Sequence, residues 1–263
     1  MSLVRLRGLT ITYPGVAALR GVDFDVEPGQ RWAIVGQSGS GKSTLGRALL
    51  GSFDGAEVTS TQFTVTGIDI QHADAAMLRR LRGGAVAMVM QDSLGALNPM
   101  QTIGAALLEC QAAHGHAATK TSVDRALAAL QAVDLDDPQG VMSSYPHELS
   151  GGQRQRACIA VATVTEPVLL VADEPTSALD PPLARTVCRV LARCSADREM
   201  SLIVITHDLD VAVATCDRVA VLDDGQIVER GDLAQVIAAP ASDAMKKLIA
   251  ACALSVETDA GGV

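Results

Sequence analysis

Aromatic side chains are nearly missing from this sequence: three Phe, two Tyr and one Trp make up 2% of 263 residues. Any core must therefore be assembled from Ala, Val, Leu and Ile, which the hydrophobic content of 48% can supply. Positive charge is the second shortage. Lys and Arg number 21 against 30 Asp and Glu, a formal charge of −9, which argues against broad non-specific contact with nucleic acid. No stretch approaches the roughly 18 apolar residues of a membrane span, and the start Met1-Ser2-Leu3-Val4-Arg5 has no apolar signal segment. A cytoplasmic location is expected. The six cysteines, at 110, 158, 188, 194, 216 and 252, form no C-x-x-C pair and read as small apolar thiols in a reducing compartment. No internal repeat is found, and no N-K-x-D element of the kind that reads guanine.

One stretch stands out against this background. Gly36-Gln37-Ser38-Gly39-Ser40-Gly41-Lys42-Ser43-Thr44 fits G-x-x-x-x-G-K-[ST], a phosphate-cradling P-loop. The apolar run Trp32-Ala33-Ile34-Val35 before it reads as a buried strand, and Leu45-Gly46-Arg47-Ala48-Leu49-Leu50 after it as helix. Glycines let the backbone turn tightly, so that N–H groups converge on phosphate oxygens at a helix N-terminus. Lys42 is expected to reach the β- and γ-phosphates, and Ser43 to offer its hydroxyl to Mg²⁺. The motif implies a nucleoside triphosphate.

Around it, the pattern predicts two half-exposed antiparallel strands, residues 4–12 with a bulge at Gly8 and residues 22–26, followed by β-rich residues 56–70. Tyr13-Pro14-Gly15 breaks the first strand. A continuous apolar strand, Ala85–Met90, ends at Gln91. From about 92 to 164 the pattern turns helical: Val123, Ala126, Leu127, Leu130 and Val133 share one helical face, as do Ala157, Ala160, Val161 and Val164. Ser144–Glu148 reads as a loop. Strands 168–172 and 202–205 then alternate with a helix carrying Val187, Val190, Leu191 and Cys194, and Asp224-Gly225 reads as a hairpin turn. Residues 241–254 read as a last helix and 257–263 as a loose tail. The domain reading is one ATPase-type domain over 1–240 with the helical lobe inserted at about 92–164, then a C-terminal helix and tail over 241–263.

Two further stretches carry chemistry. Asp173-Glu174 follows the apolar strand 168–172. A carboxylate at a strand end can hold Mg²⁺, a hard cation, and this is assigned to Asp173. The next carboxylate, Glu174, can deprotonate a water attacking the γ-phosphate. Leu149-Ser150-Gly151-Gly152-Gln153 places a Ser and two glycines at a helix start, again rich in donors. A second phosphate site in one chain has no obvious purpose unless it faces the P-loop of another copy across a dimer.

At this point the sequence resembles the ATP-binding-cassette (ABC) ATPases, whose signature reads LSGGQ. The resemblance covers nearly the whole chain in order. It implies an α/β fold: a P-loop NTPase (RecA-like) parallel-sheet core with an antiparallel β subdomain and an inserted α-helical lobe. It implies ATP and Mg²⁺ as ligands, Tyr13 stacking on adenine, and residues 36–44 as Walker A. Gln91 would sense Mg²⁺ and the membrane partner. Ser150, Gly151, Gly152 and Gln153 would complete a partner's nucleotide site. Asp173 closes Walker B with Glu174 as catalytic base, Asp180 belongs to the D-loop crossing the dimer interface, and His207 contacts the γ-phosphate.

Narrower likenesses point to ATPases of peptide and nickel importers: Gln91–Pro99, Ser144–Leu149 and Cys216-Asp217-Arg218. Ser93 stands where that group has proline and Ala96 where it has serine, and Ala241–Ala244 replaces its H-P-Y-T element. The reading that follows is an importer ATPase subunit on the cytoplasmic face of the inner membrane. Its expected partners are two permease subunits, a second ATPase (same or sister chain) and, indirectly, an extracytoplasmic binding protein, with no nucleic acid. The rival is a soluble ABC ATPase acting on ribosomes or DNA; such proteins carry two cassettes or long insertions, for which 263 residues leave no room.

Overall fold

Alternation of apolar and charged residues dictates the first elements. In the computed structural model, which describes residues 2–53, 55–91, 93–115 and 119–260, Val4–Tyr13 and Val16–Val26 form an antiparallel pair. The register slips between Leu6 and Leu9, and Gly8 (φ +61°) donates its N–H to Asp23 at 2.7 Å, so the bulge expected there forms. The second strand starts earlier than its pattern suggested, because Pro14-Gly15 makes a tight turn that pairs Tyr13 with Val16. Glu57–Thr59, Gln62–Val65 and Ile68–Asp69 complete this antiparallel sheet.

These strands belong to the first of two units, Met1–Ala73 with Ile203–Val263. Its other sheet contains the P-loop strand Arg31–Val35, flanked by Ser201–Thr206 and Arg218–Asp223, the last parallel to it; Gln226–Asp232 closes the edge. Asp224 (φ +44°) and Gly225 (φ +77°) are both left-handed, as a two-residue primed hairpin turn requires. Four of the six aromatics are spent on two edge-to-face pairs, Phe24–Trp32 at 5.1 Å and Phe53–Phe63 at 6.2 Å. The C-terminal helix Asp243–Ala260 runs further than expected: the stretch 257–260 is helical, since no helix breaker occurs before Gly261. The remainder of the expected tail, 261–263, lies outside the described residues.

The second unit is Asp74–Leu202. Strands Val86–Val89 and Leu169–Asp173 pair in parallel, Val89 opposite Ala172. The first is one residue shorter at each end than its apolar run and the second starts one residue later: Met90 is 49% and Val168 48% exposed, although Val168 still donates its N–H to the Ala85 carbonyl at 2.9 Å. Helices fill the stretch from 93 to 163: Ser93–Ala96, Ile103–Ala113, Lys120–Ala132, Pro138–Ser143 and Gly151–Thr163, with a 3₁₀ turn at Pro146–Glu148 in the expected loop. Helix Lys120–Ala132 buries Ser122, Ala126, Ala129 and Leu130, whereas Val123 is exposed. Ser122 is at the N3 position, where its hydroxyl accepts from the Thr119 N–H at 3.5 Å, and its carbonyl accepts from the buried Gln111 amide at 3.0 Å. Helix Pro181–Asp197 buries Val187, Val190, Leu191 and Cys194 as its spacing predicts. The cysteines form no disulfide among the described residues: 158, 188, 194 and 216 are buried and 110 and 252 half-buried. Burial pushes the Cys216 thiol up to about 12.

Candidate functional site

Each half of the expected site sits within one unit. In the first, the strand Arg31–Val35 ends at the P-loop and helix Lys42–Ala48 begins with Gly41 (φ +102°) as its N-cap, with no side-chain cap on its amides. The glycines at the two ends of the loop are there for space. A Cβ on Gly36 would stand 2.1 Å from the Leu222 carbonyl oxygen, and one on Gly41 would stand 2.4 Å from that of Ala18. Gly39 (φ +81°) meets nothing within 4 Å and is needed for conformation alone. Lys42 is 8% exposed, and its ammonium donates to the carbonyls of Gly36 and Gln37, both at 2.8 Å, so it is held over the loop. The Ser40 hydroxyl is buried with no hydrogen-bond partner. A crowded glycine cradle at a helix N-terminus, an anchored ammonium and an orphaned hydroxyl together fit a bound phosphate chain.

Two residues outside the motif brace this loop. Gly225 donates its N–H to the Ser40 carbonyl (3.1 Å), and its own carbonyl accepts from Arg20 N–H (2.8 Å). The hairpin turn thereby ties the loop to the strand Val16–Val26. The D-G signal is visible in the sequence, but the contact joins residues about 180 positions apart and is not. Tyr13 ends its strand half-buried beside the exposed Val16. His207 is exposed directly after the buried strand Ser201–Thr206, where the Thr206 hydroxyl accepts from Asp208 N–H at 3.0 Å.

The second unit carries the carboxylates. Leu169–Asp173 is buried throughout and Asp173 is 5% exposed. Glu174 adopts φ +45°, rare for a residue with a side chain, and its carbonyl accepts from the Ser177 N–H (3.3 Å) and hydroxyl (3.1 Å). That local pair holds the turn. Gln91 lies two residues past Val89 and Glu174 two past Ala172, so both follow the same end of paired parallel strands. Asp92, next in the Gln91 stretch, lies outside the described residues.

The signature residues are partly occupied with one another. Ser150 caps helix Gly151–Thr163: its Oγ accepts from Gln153 N–H (3.3 Å), while Gln153 Oε1 accepts from Ser150 N–H (3.0 Å). The two glycines differ. A Cβ on Gly152 would stand 2.9 Å from Leu183 Cδ2, so this glycine lets two helices approach. On Gly151 the nearest atom is Leu179 Cδ2 at 3.8 Å, an ordinary contact, so nothing in its own chain demands glycine there. Asp180 caps helix Pro181–Asp197 by accepting from Leu183 N–H at 2.9 Å. Among the described residues no cluster of His, Cys, Asp and Glu forms a ready metal site, and no helix is long and apolar enough to cross a membrane.

Comparison with known proteins bears on the same residues. The family profile described as "ABC transporter" matches residues 19–177. The dipeptide transport ATP-binding protein DppD of Bacillus subtilis (strain 168) is 36% identical over 252 residues, covering 95% of this chain and 75% of that protein. The glutathione import ATP-binding protein GsiA of Escherichia coli (strain K12) is 35% identical over 243 residues; these cover 90% of this chain and only 39% of GsiA. A dimeric ATP-binding cassette solved in a post-hydrolysis state with ADP and Pi superposes with a TM-score of 0.76 at 28% identity, over 88% of this chain and 98% of that one. The P-loop NTPase fold class expected from the motifs is therefore the one adopted.

Proposed function

The chain belongs to the ATP-binding cassette family of ABC transporters, an ATPase family, and from that premise we propose that it is the ATPase subunit of an importer, coupling hydrolysis to uptake of peptides. The observation that carries this reading is the ordered set of family motifs on a chain 36% identical to a dipeptide-transport ATP-binding protein. Nickel and other metal chelates are the second cargo class, on the strength of the Gln91–Pro99 and Cys216–Arg218 stretches. The proposed partners are two permease subunits, a second ATPase chain and an extracytoplasmic binding protein acting through the permeases, with the subunit peripheral on the cytoplasmic face of the membrane. The acidic balance, −9, speaks against nucleic acid as a partner.

In this reading the chain's own groups divide the work as the family pattern implies. The loop amides of residues 36–44 and the Lys42 ammonium bind the phosphates, and Tyr13 stacks on the base. Ser43, Asp173 and Gln91 would supply the oxygens that hold Mg²⁺, which would draw off charge from the phosphate oxygens. Glu174 takes the proton of the attacking water and His207 steadies the γ-phosphate. Ser150, Gly151, Gly152, Gln153 and Asp180 serve the nucleotide of the partner ATPase. The capping bond leaves the Ser150 hydroxyl proton available to donate, and the open surface at Gly151 admits a close approach.

Glu174→Gln tests the assignment. The amide keeps size and hydrogen bonding but has no basicity, so phosphate release is expected to fall by roughly 10²–10⁴. ATP binding is expected to survive, and the stalled protein to accumulate as a dimer with Mg-ATP in size-exclusion chromatography. Near-normal phosphate release would transfer the base role to another residue.

A further inference from the structure

Apart from the residues treated above, the second unit holds a cavity of about 550 Å³ bounded by helix Ala75–Leu81, the end of helix Ile103–Ala113 and Thr165. Arg79 and Arg80 come from the last turn of the first helix, and His114 is the C-cap of the second. None of the described lining residues is acidic, although the chain as a whole carries −9. Neither arginine has a carboxylate partner among the described residues.

The imidazole is placed by two consecutive glycines. A Cβ on Gly83 would stand 2.8 Å from His114 Nε2, and one on Gly84 would stand 3.1 Å from its Nδ1. A side chain on Gly83, whose φ of +74° already favours glycine, would push into the ring; one on Gly84 would meet the Arg80 carbonyl oxygen first, at 2.5 Å, and then the ring. Thr165 Oγ donates to the Gly83 carbonyl and fixes the same turn. A helix C-terminus favours basic residues by its dipole, but that preference asks neither for an imidazole laid on two glycines nor for a cavity between them. The glycine pair leads into the start of the strand Val86–Val89, whereas Gln91 follows its end. Four strand residues separate the two by roughly 13 Å, so these cations do not belong to the nucleotide machinery.

We propose that this cavity binds a doubly charged phosphoryl group. Two guanidinium forks with an imidazole suit a tetrahedral oxyanion that accepts several hydrogen bonds at once. The group comes either from a free phosphorylated molecule or from an anionic lipid headgroup. The proposal is independent of the importer reading.

The test uses the full chain saturated with a non-hydrolysable ATP analogue, so that the P-loop is already filled. Sodium pyrophosphate is titrated while the His114 imidazole resonances are followed by NMR, in the wild type and in Arg79→Gln/Arg80→Gln. Saturable shifts are expected in the wild type, with affinity at least about tenfold weaker in the double variant. Both arginines are exposed, and unchanged analogue binding confirms that the variant is folded. His114→Gln, followed by calorimetry, should weaken the same binding. Co-sedimentation with phosphatidylcholine vesicles containing phosphatidic acid, lost in the double variant, would assign the group to a lipid; pyrophosphate binding without co-sedimentation would assign it to a free ligand. No shift at His114, equal shifts in both proteins, or a response to poly-glutamate with none to pyrophosphate would overturn the proposal, the last by making the cavity a dock for an acidic protein segment.

Discussion

At Gly36 a methyl group would overlap a backbone carbonyl, Leu222 O at 2.1 Å, which cannot swing aside as a side-chain end can. At Gly39 the space is open and only φ +81° resists a side chain. Gly39→Ala is therefore expected to cost about 1 kcal/mol and to leave ATP binding measurable. Gly36→Ala should exceed that, by about 3 kcal/mol or more, and abolish nucleotide binding. Thermal unfolding and a nucleotide titration on the two variants check the order. Both glycines were legible as loop glycines from the motif. Which of them is steric and which conformational was not, because Leu222 is 186 positions away. Glu174 was legible as a carboxylate after an apolar strand; its left-handed backbone was not, since Pro175 signals the strand's end but favours an extended, not a left-handed, residue before it.

Elements set the next group of expectations. Gly151 and Gly152 open one helix, yet only Gly152 is packed against Leu183. Gly151→Ala is expected to leave the unfolding midpoint of the monomer unchanged or slightly raised, since Ala is the better helix former. If the glycine surface serves a partner's nucleotide, phosphate release should nevertheless fall; retained turnover would remove Gly151 from that role. Gly152→Ala should lower stability itself. The C-terminal helix depends on a contact no pattern announced. Glu229, in the strand Gln226–Asp232, accepts from the Ala241 and Ser242 amides at 2.8 and 2.9 Å and from the Ser242 hydroxyl at 2.6 Å. Burial opposes ionisation of Glu229, but the Ser242 hydroxyl and the two amides outweigh it, holding the carboxyl below its usual range. A lowered folded value means stability that is present above the usual carboxylate range and lost as pH falls through the lowered value. The stability gap between wild type and Glu229→Gln should be present at neutral pH and close in acid. A gap independent of pH in urea titrations would show that the contact acts through packing and not charge.

For the molecule as a whole, the proposed division of labour between P-loop and signature makes a prediction about concentration. A site that needs Lys42 from one chain and Ser150 from another cannot turn over in a dilute monomer. Specific phosphate release is expected to rise with protein concentration and then level off, while ATP binding per chain stays constant. Ser150→Arg should bind ATP through its own P-loop yet fail to hydrolyse it at any concentration. Release proportional to enzyme over the whole range would place both halves in one chain.

Local chemistry and near-neighbour spacing were enough to expose the P-loop, the carboxylate pair, the signature and the alternation of strands and helices, because each is written in residues within ten positions of one another. The helical stripe Val187–Cys194 and the D-G turn followed for the same reason. What only the folded chain decided are the long-range partners: the Leu222 and Ala18 carbonyls that crowd the phosphate loop, and the Gly225 turn that ties it down. To these belong the Glu229 clamp on the last helix, and the Gly83-Gly84 seat beneath His114. Sequence periodicity reports which face is buried, but not against what. It misplaced Val123, which is exposed in the first turn of its helix, while Ser122, engaged in the capping box with Thr119, is the buried neighbour.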